Sequence, residues 1–526
     1  IIFFTIVALI NGEQYYSFRG NHWDYLNYVT SSYAISEFDL NYIKENINII
    51  QSNFPFSKMG WLLHIQIRPS INIFLSIFMK LGFENLYLIF FILKIFGLFM
   101  IFFSKFIFLK KFFENELSSP KIILLSYLFT FGFWSIYILE IDAISQLFGQ
   151  SLFILCFFYI LDIEKVMMKK NLVAKFYFLS FNLAFFLIYP ELFAVYLLIA
   201  LIYLICSKKL NELLRIKKFD LIFFSIVFLI VSLPFFEYVH KFLYHQFFAG
   251  LQKSNLWGYF GAFVLGKENS ILNAEFVDFI KLSFENNESI LSILKNIYSN
   301  QINEKYYFFL LNIFPSLFGM YHFSIGKFDD PIQIIFVIIL FILNLFIIKI
   351  IYKNFTLLFQ TKKNEFILIK SVFILFLLLT ILLFLNQAFW SIIKLFFYFS
   401  FFWFILITTK FSGKKSFSIN YVSLFLIAVF PFYFFSGIEH GIGRENSFPS
   451  IISRDMKKNF NWQIPSNKIN QCKNIFIDGE NKHQLKYITT NLMYKNIEFF
   501  VENKKKNLKE KNMCKIKLSK EFEMIE

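Results

Sequence analysis

The residues in this chain best suited to chemistry open near residue 18, in FRGNHWDYLNYVTSSYAI, just behind the ten apolar residues IIFFTIVALI. A helix starting after Asn21 puts Asp24, Asn27, Tyr28 and Ser31 on one face, with Trp23, Leu26 and Tyr33 turned toward lipid or protein. Asp24 then has two readings. As a carboxylate at the water–lipid boundary it can take a proton from a hydroxyl or help hold a divalent metal, with His22 and Tyr28 beside it on the substrate side. It can equally close a capping box with Asn21 while Trp23 anchors the segment to the interface.

Further acids and bases fall at comparable corners. YILEIDAISQ places Glu140 and Asp142 two residues apart, pointing apart on a helix but able to converge at a turn as ligands for a metal. Equally, Asp142 can cap the next helix while Glu140 snorkels to water. Glu191 in YPE is a third acid, next to a proline that breaks a helix pair. Arg68 in IRPSINIF offers a forked donor for phosphate oxygens. Lys94 lies inside an apolar run, about 12 Å from its end, where an ammonium is costly without a partner. Lys394 follows Trp390 in NQAFWSIIK. Glu237, His240 and His245 in FFEYVHKFLYHQ match no metal signature, and the sequence has no P-loop, no G-x-G-x-x-G after a strand and no H-E-x-x-H.

The elements that must position these groups are membrane helices. With 57% hydrophobic and 17% charged residues in 526, the chain has too little polar surface to wrap a soluble core. The 81 phenylalanines, together with abundant Ile, Lys and Asn and scarce arginine, reflect a compositional bias rather than a site. A net charge of +16 invites a nucleic-acid reading, but the lysines fall in short loops between apolar runs, which excludes it in favour of the positive-inside rule. Spans are expected at 1–10, 86–108, 121–139, 146–161, 172–189, 191–206, 219–236, 331–350, 366–385, 392–409 and 419–436. The first run is too short to cross and does not begin with Met, so a truncated N-terminus is expected.

Loops carrying Lys110, Lys111 and Lys121, Lys165, Lys169 and Lys170, Lys208, Lys209, Arg215, Lys217 and Lys218, Lys353, Lys362 and Lys363, and Lys410, Lys414 and Lys415 alternate with loops poor in lysine. The lysine-rich set is read as cytoplasmic. That places residues 11–85, both acidic corners, the loop 237–330 and the tail 437–526 outside, with every histidine and with Arg19, Arg68, Arg444 and Arg454. Residues 69–83 and 306–323 are apolar enough to cross, yet counting either alone inverts the lysine pattern, so both are read as helices along the outer interface. The expected fold is thus an all-α polytopic membrane domain of about 11 transmembrane helices over 1–436, followed by a small soluble α/β domain over 437–526.

In that tail NIFID and NIEFFV read as strands around a helix at 482–494, with CKIKL as another strand. Cys156 and Cys206 sit in spans, where a buried thiol is the plain reading. Cys472 and Cys514 each precede a strand. A bridge between them would stabilise so small a domain by about 4 kcal/mol and would suit an oxidising compartment; two free thiols are the alternative.

The short first span, the acid soon after it in a D...Y setting, the Arg-Pro interfacial helix, the span count and the outer C-terminal domain together resemble the GT-C superfamily of integral membrane glycosyltransferases. The resemblance is architectural and covers roughly residues 1–440. It implies a donor sugar linked to polyprenyl phosphate, a catalytic acid in the first outer loop, here Asp24, and an acceptor that is a glycan, a lipid or a protein. Many members carry an acidic pair where this chain has HWD. YILEIDAISQ is similar to the E-x-D motif of the oligosaccharyltransferase branch, which implies Mg or Mn as the cofactor that Glu140 and Asp142 would hold. The setting implied is the outer face of a bacterial inner membrane, with membrane lipids as partners and the active site and C-terminus periplasmic. The alternatives are a polymerase or ligase of lipid-linked polysaccharide, and a lipid-linked sugar flippase or transporter.

Overall fold

The computed structural model describes residues 28, 31–32, 35–36, 69–82, 86–113, 117–130, 143–163, 166, 172–211, 222–233, 236, 286, 342, 345, 348–356, 358, 364–385, 389–412, 416–419, 474–478, 498–501, 513–517 and 523–524. Two short sheets and the turn or irregular residues 81–82, 117–118, 143, 162, 189, 207–208 and 286 apart, these residues are helical. The chain forms two compact units, one from residues 1–96, 139–145 and 453–526 and the other from 97–138 and 146–452.

In the first unit, α1 (Pro69–Lys80) begins on a proline whose missing N–H is no loss at a helix start. It buries Ile71, Asn72, Leu75 and Ser76 on one stripe and leaves Phe74 and Ile77 exposed. Gly82 ends it with φ at 82°, a left-handed residue whose N–H bonds the Met79 carbonyl at 2.9 Å. The helix expected at 69–83 is therefore present. Residues 28, 31, 32, 35 and 36 are helical, and Tyr28, Ser31, Ser32 and Ile35, which recur at helical spacing, are buried. The same unit holds a four-stranded sheet ordered β4 (Glu498–Val501), β3 (Asn474–Asp478), β5 (Met513–Lys517), β6 (Glu523–Met524). β3 runs parallel to both neighbours, and β6 pairs antiparallel at the edge. The helix expected at 482–494 lies outside the described residues.

Two helices run across the boundary between the units: α2 (Leu86–Phe113) and α4 (Ile144–Leu161). The second unit adds α3 (Ser119–Thr130), α5 (Leu172–Ile188), α6 (Pro190–Cys206), α7 (Asn364–Leu385) and α8 (Phe389–Thr408). Most residues of α4 are buried, whereas fewer than half of those in the apolar stretches of α2 and α7 are. The core is largely aromatic: Phe153 and Phe157 of α4 meet Phe402 of α8 edge-on at 6.2 and 5.7 Å, and Phe376 of α7 meets Trp403 at 5.3 Å. Outside this core the helices present apolar rows to their surroundings. Ile222, Phe223, Ile226, Leu229, Ile230 and Leu233 are exposed along one helix, and Leu377, Leu378, Ile381 and Leu382 along α7. Rows of this kind suit lipid and not water.

Among the described residues, three helices are long and apolar enough to cross a bilayer, at Ile92–Phe113, Ile144–Leu161 and Asn364–Leu383. Shorter apolar helices run at Ser70–Lys80, Val173–Ile188, Pro190–Cys206, Ile222–Leu233 and Leu395–Thr408. The expected spans at 86–108, 146–161, 172–189, 191–206, 366–385 and 392–409 each coincide with a helix. Of 121–139, helix is described over Ser119–Thr130, and of 219–236 over Ile222–Leu233 with Phe236 beyond it. Of 331–350, residues 342, 345 and 348–350 are helical, and the helix runs on to residue 356. The expected span at 419–436 meets a difference at its start. Ile419 closes a hairpin of β1 (Thr409–Ser412) and β2 (Ser416–Ile419), in register Thr409↔Ile419 to Ser412↔Ser416. Here hydroxyl, aromatic and lysine side chains alternate around Gly413, a period-2 pattern rather than a helical one. Residues 306–323 and 420–436 lie outside the described residues.

One close approach in this unit makes a testable point. A Cβ added to Gly149 of α4 would sit 2.7 Å from the Cβ and 2.8 Å from the Cγ of Tyr189, atoms too near the backbone to swing away. Glycine to alanine within a helix ordinarily adds about 0.5–1 kcal/mol of stability. Here Gly149→Ala is expected to do the reverse, at a cost of about 1–3 kcal/mol. It should be read as a lower melting temperature of the purified protein, and a rise would show that α4 and the Tyr189 corner can part freely.

Candidate functional site

Tyr28 is the described residue of the aromatic segment after Asp24 that carries the most information. Its side chain has no exposed surface. Its hydroxyl donates to Ser145 Oγ at 2.7 Å and accepts from the Ser145 backbone N–H at 3.2 Å. Ser145 is the second residue of α4, where backbone N–H groups lack partners within the helix, so the phenol serves as an external cap. The ring lies 5.8 Å from that of Phe90, and the Tyr28 carbonyl accepts from Ser32 Oγ at 2.6 Å. Both hydrogen-bonding capacities of the hydroxyl are thus used within the protein.

The sequence positions joined here are informative. Tyr28 follows Asp24 by four residues, and Ser145 follows Asp142 by three. Tyr28 and Ser145 themselves meet through a reciprocal pair of hydrogen bonds, in one compact unit that also contains Lys94 on α2. Lys94 is half-buried. Asp24, His22, Arg68, Glu140, Asp142 and Cys472 lie outside the described residues, as do Glu237, His240 and His245. Position 68 directly precedes α1, at the helix end whose dipole favours anions. In the sheet, Cys514 is the second residue of β5 instead of preceding it, and it pairs in register with Ile475.

The second unit buries a separate polar group. Gln150 of α4 donates to Ser400 Oγ of α8 at 3.5 Å, and the hydroxyls of Tyr189 and Tyr398 are in hydrogen-bond contact. Glu191 is buried in the first turn of α6, behind Pro190 at the helix start, and a carboxylate there complements the helix dipole. Lys394 lies on α8 one turn before Tyr398. Lys105 of α2 is fully buried; its ammonium donates to the Phe129 carbonyl and stands 6.0 Å from the centroid of the Phe401 ring.

No local sequence pattern identifies these pairs. Lys105 carries the same signal as Lys94, a lysine within an apolar run. Nothing along the chain marks Tyr189 and Tyr398 as partners, since they are 209 residues apart. Cys156 is buried and not in a disulfide, as expected, but Cys206, expected to be buried, is exposed because it falls on the last turn of α6.

Polar contacts also join the opposite helix ends. Lys111 pairs with Asp162 at 3.2 Å, Lys209 donates to the Leu161 carbonyl at 3.1 Å, and Asn354 donates to the Leu406 carbonyl at 2.6 Å. All six residues lie at ends assigned to one side by the lysine alternation. No protein-family model, no curated protein and no solved structure matches the chain.

Proposed function

We propose that the chain is a membrane glycosyltransferase that moves a sugar from a polyprenyl-phosphate carrier to a hydroxyl or amide of a glycan, lipid or protein at the outer face of a bacterial inner membrane. The observation that supports this reading is the Tyr28–Ser145 pair, which joins a residue four positions after the first-loop acid to one three positions after the second acid of the E-x-D corner. Glycosyl transfer needs both a proton acceptor and a means of stabilising the leaving phosphate, and these two segments supply the acids.

In the reaction proposed for a hydroxyl acceptor, its oxygen forms a bond to the anomeric carbon while the bond from that carbon to the phosphate oxygen breaks. The polyprenyl phosphate departs with the bonding electron pair, and the acceptor proton passes to the Asp24 carboxylate. Arg68 and Lys94 offset charge on the departing phosphate oxygens, Arg68 through two parallel N–H donors. His22, two residues before Asp24 in sequence, is assigned a part in binding the substrate. Glu140 and Asp142 are hard oxygen donors suited to Mg2+ or Mn2+, which would supply further charge stabilisation when bound.

A second reading, a transporter of the lipid-linked sugar, draws on the polar residues Gln150, Ser400 and Lys105 buried within apolar helices. Vesicles containing the purified chain and a polyprenyl-phosphate sugar separate the two. Free polyprenyl phosphate released in proportion to glycosylated acceptor is expected; movement of intact donor between leaflets with the sugar still attached would favour transport and overturn the transferase.

A further inference from the structure

We propose that the hairpin of β1 and β2 is a docking surface for acidic phospholipid headgroups, seated where α8 leaves the membrane; the proposal stands without the transferase reading. β1 begins at Thr409, directly after Thr408 ends α8, so no linker separates the ribbon from an apolar helix. A second apolar run, 421–435, follows the other strand almost as closely. A sheet of two strands leaves the outer edge of each without a ladder partner. Hydrocarbon does not tolerate such edges, and a hairpin alone in water is marginal. The headgroup layer lies between these limits, since it is wet enough for the edges and apolar enough at its inner boundary for aromatic residues.

The register sorts the residues onto two faces, because register partners share a face and successive residues alternate. Thr409, Phe411, Phe417 and Ile419 fall on one face, and Lys410, Ser412, Ser416 and Ser418 on the other. An element divided in this way suits the plane of a membrane interface. Charge then selects the headgroup. Lys410 is on the hydroxyl face, Lys414 and Lys415 are two of the three residues that join the strands, and the chain has no Asp or Glu from residue 366 to residue 438. The lysine alternation assigns this loop to the cytoplasmic side, where anionic lipids attract lysines next to a membrane helix. Each such lysine is worth about five-fold in affinity.

The full-length protein, reconstituted in phosphatidylcholine vesicles with a trace of photoreactive phosphatidylglycerol, tests this. After illumination and proteolysis, label is expected on the peptide that contains residues 409–419. Unlabelled phosphatidylglycerol should displace it, and neither added phosphatidylcholine nor soluble glycerol phosphate should. Combining Lys410→Gln, Lys414→Gln and Lys415→Gln should raise the amount of phosphatidylglycerol needed for half-displacement by about a hundred-fold. If that variant does not accumulate in membranes, wild-type protein at an ionic strength of about 1 M, where charges are screened beyond about 3 Å, should show the same weakening and decides. Equal displacement by phosphatidylcholine would mean ordinary boundary lipid, and displacement by glycerol phosphate a site for soluble anions. Absence of label from 409–419 would mean a face covered by this chain or by another protein. Each of these results, or half-displacement unchanged in the triple variant, would overturn the proposal.

Discussion

Asp24→Asn is expected to lower sugar transfer by roughly 10²–10⁴-fold, the range a positioned general base contributes, while the protein still accumulates in membranes and melts within a few degrees of wild type. The amide has nearly the size and hydrogen-bonding reach of the carboxylate but does not accept a proton at neutral pH. It therefore leaves the packing of the segment intact and removes only the chemistry. The competing role for Asp24, closing a capping box with Asn21, predicts a different pattern. Loss of a cap costs about 1 kcal/mol of stability and spares turnover. Initial rates with a saturating lipid donor, together with melting temperature, separate the two, and wild-type turnover in Asp24→Asn would remove this residue from the mechanism.

The next largest effect is expected at Arg68. A guanidinium can give two parallel hydrogen bonds to a phosphate group, whereas an ammonium presents a single point of charge. Position 68 directly precedes Pro69 and α1, so any anion held there also meets the positive end of the helix dipole. Hydrogen bonds to charged groups contribute about 1.5–3 kcal/mol each, and every 1.4 kcal/mol is about ten-fold in affinity. Arg68→Lys is thus expected to reduce kcat/KM for the lipid donor by about ten-fold and Arg68→Ala by about a hundred-fold. If Arg68 only anchors α1 among headgroups, lysine serves equally well, and unchanged kcat/KM in Arg68→Lys would remove the phosphate contact.

The helices were legible in the sequence because their cause is local. An unbroken apolar run must satisfy its own backbone, and α2, α4, α7 and α8 follow the runs from which they were expected to within a few residues. The corner between α5 and α6 was legible for the same reason, since Pro190 permits only a helix start. The hairpin at 409–419 was not, because hydropathy treats Phe411, Phe417 and Ile419 as the beginning of an apolar run and ignores their alternation with Lys410, Ser412 and Ser418.

The candidate site was legible in part. Helical spacing put Tyr28 and Ser31 on one face, and both are buried. The same spacing gave no sign that the Tyr28 hydroxyl is engaged by Ser145, a partner 117 residues away. The pairs Gln150–Ser400 and Tyr189–Tyr398 were illegible for the same reason. A single polar residue in an apolar run signals that a partner exists but not which one. Once two helices pack, the cost of an unsatisfied polar group forces the pairing.

The central claim is that the sugar comes from a polyprenyl-phosphate carrier. Purified full-length protein, supplied with a labelled polyprenyl-phosphate sugar in one reaction and the corresponding nucleotide sugar in another, tests it most directly. The account predicts label in the acceptor from the lipid donor alone, with an equal amount of polyprenyl phosphate released and both signals lost in Asp24→Asn. Transfer from the nucleotide sugar alone would contradict it.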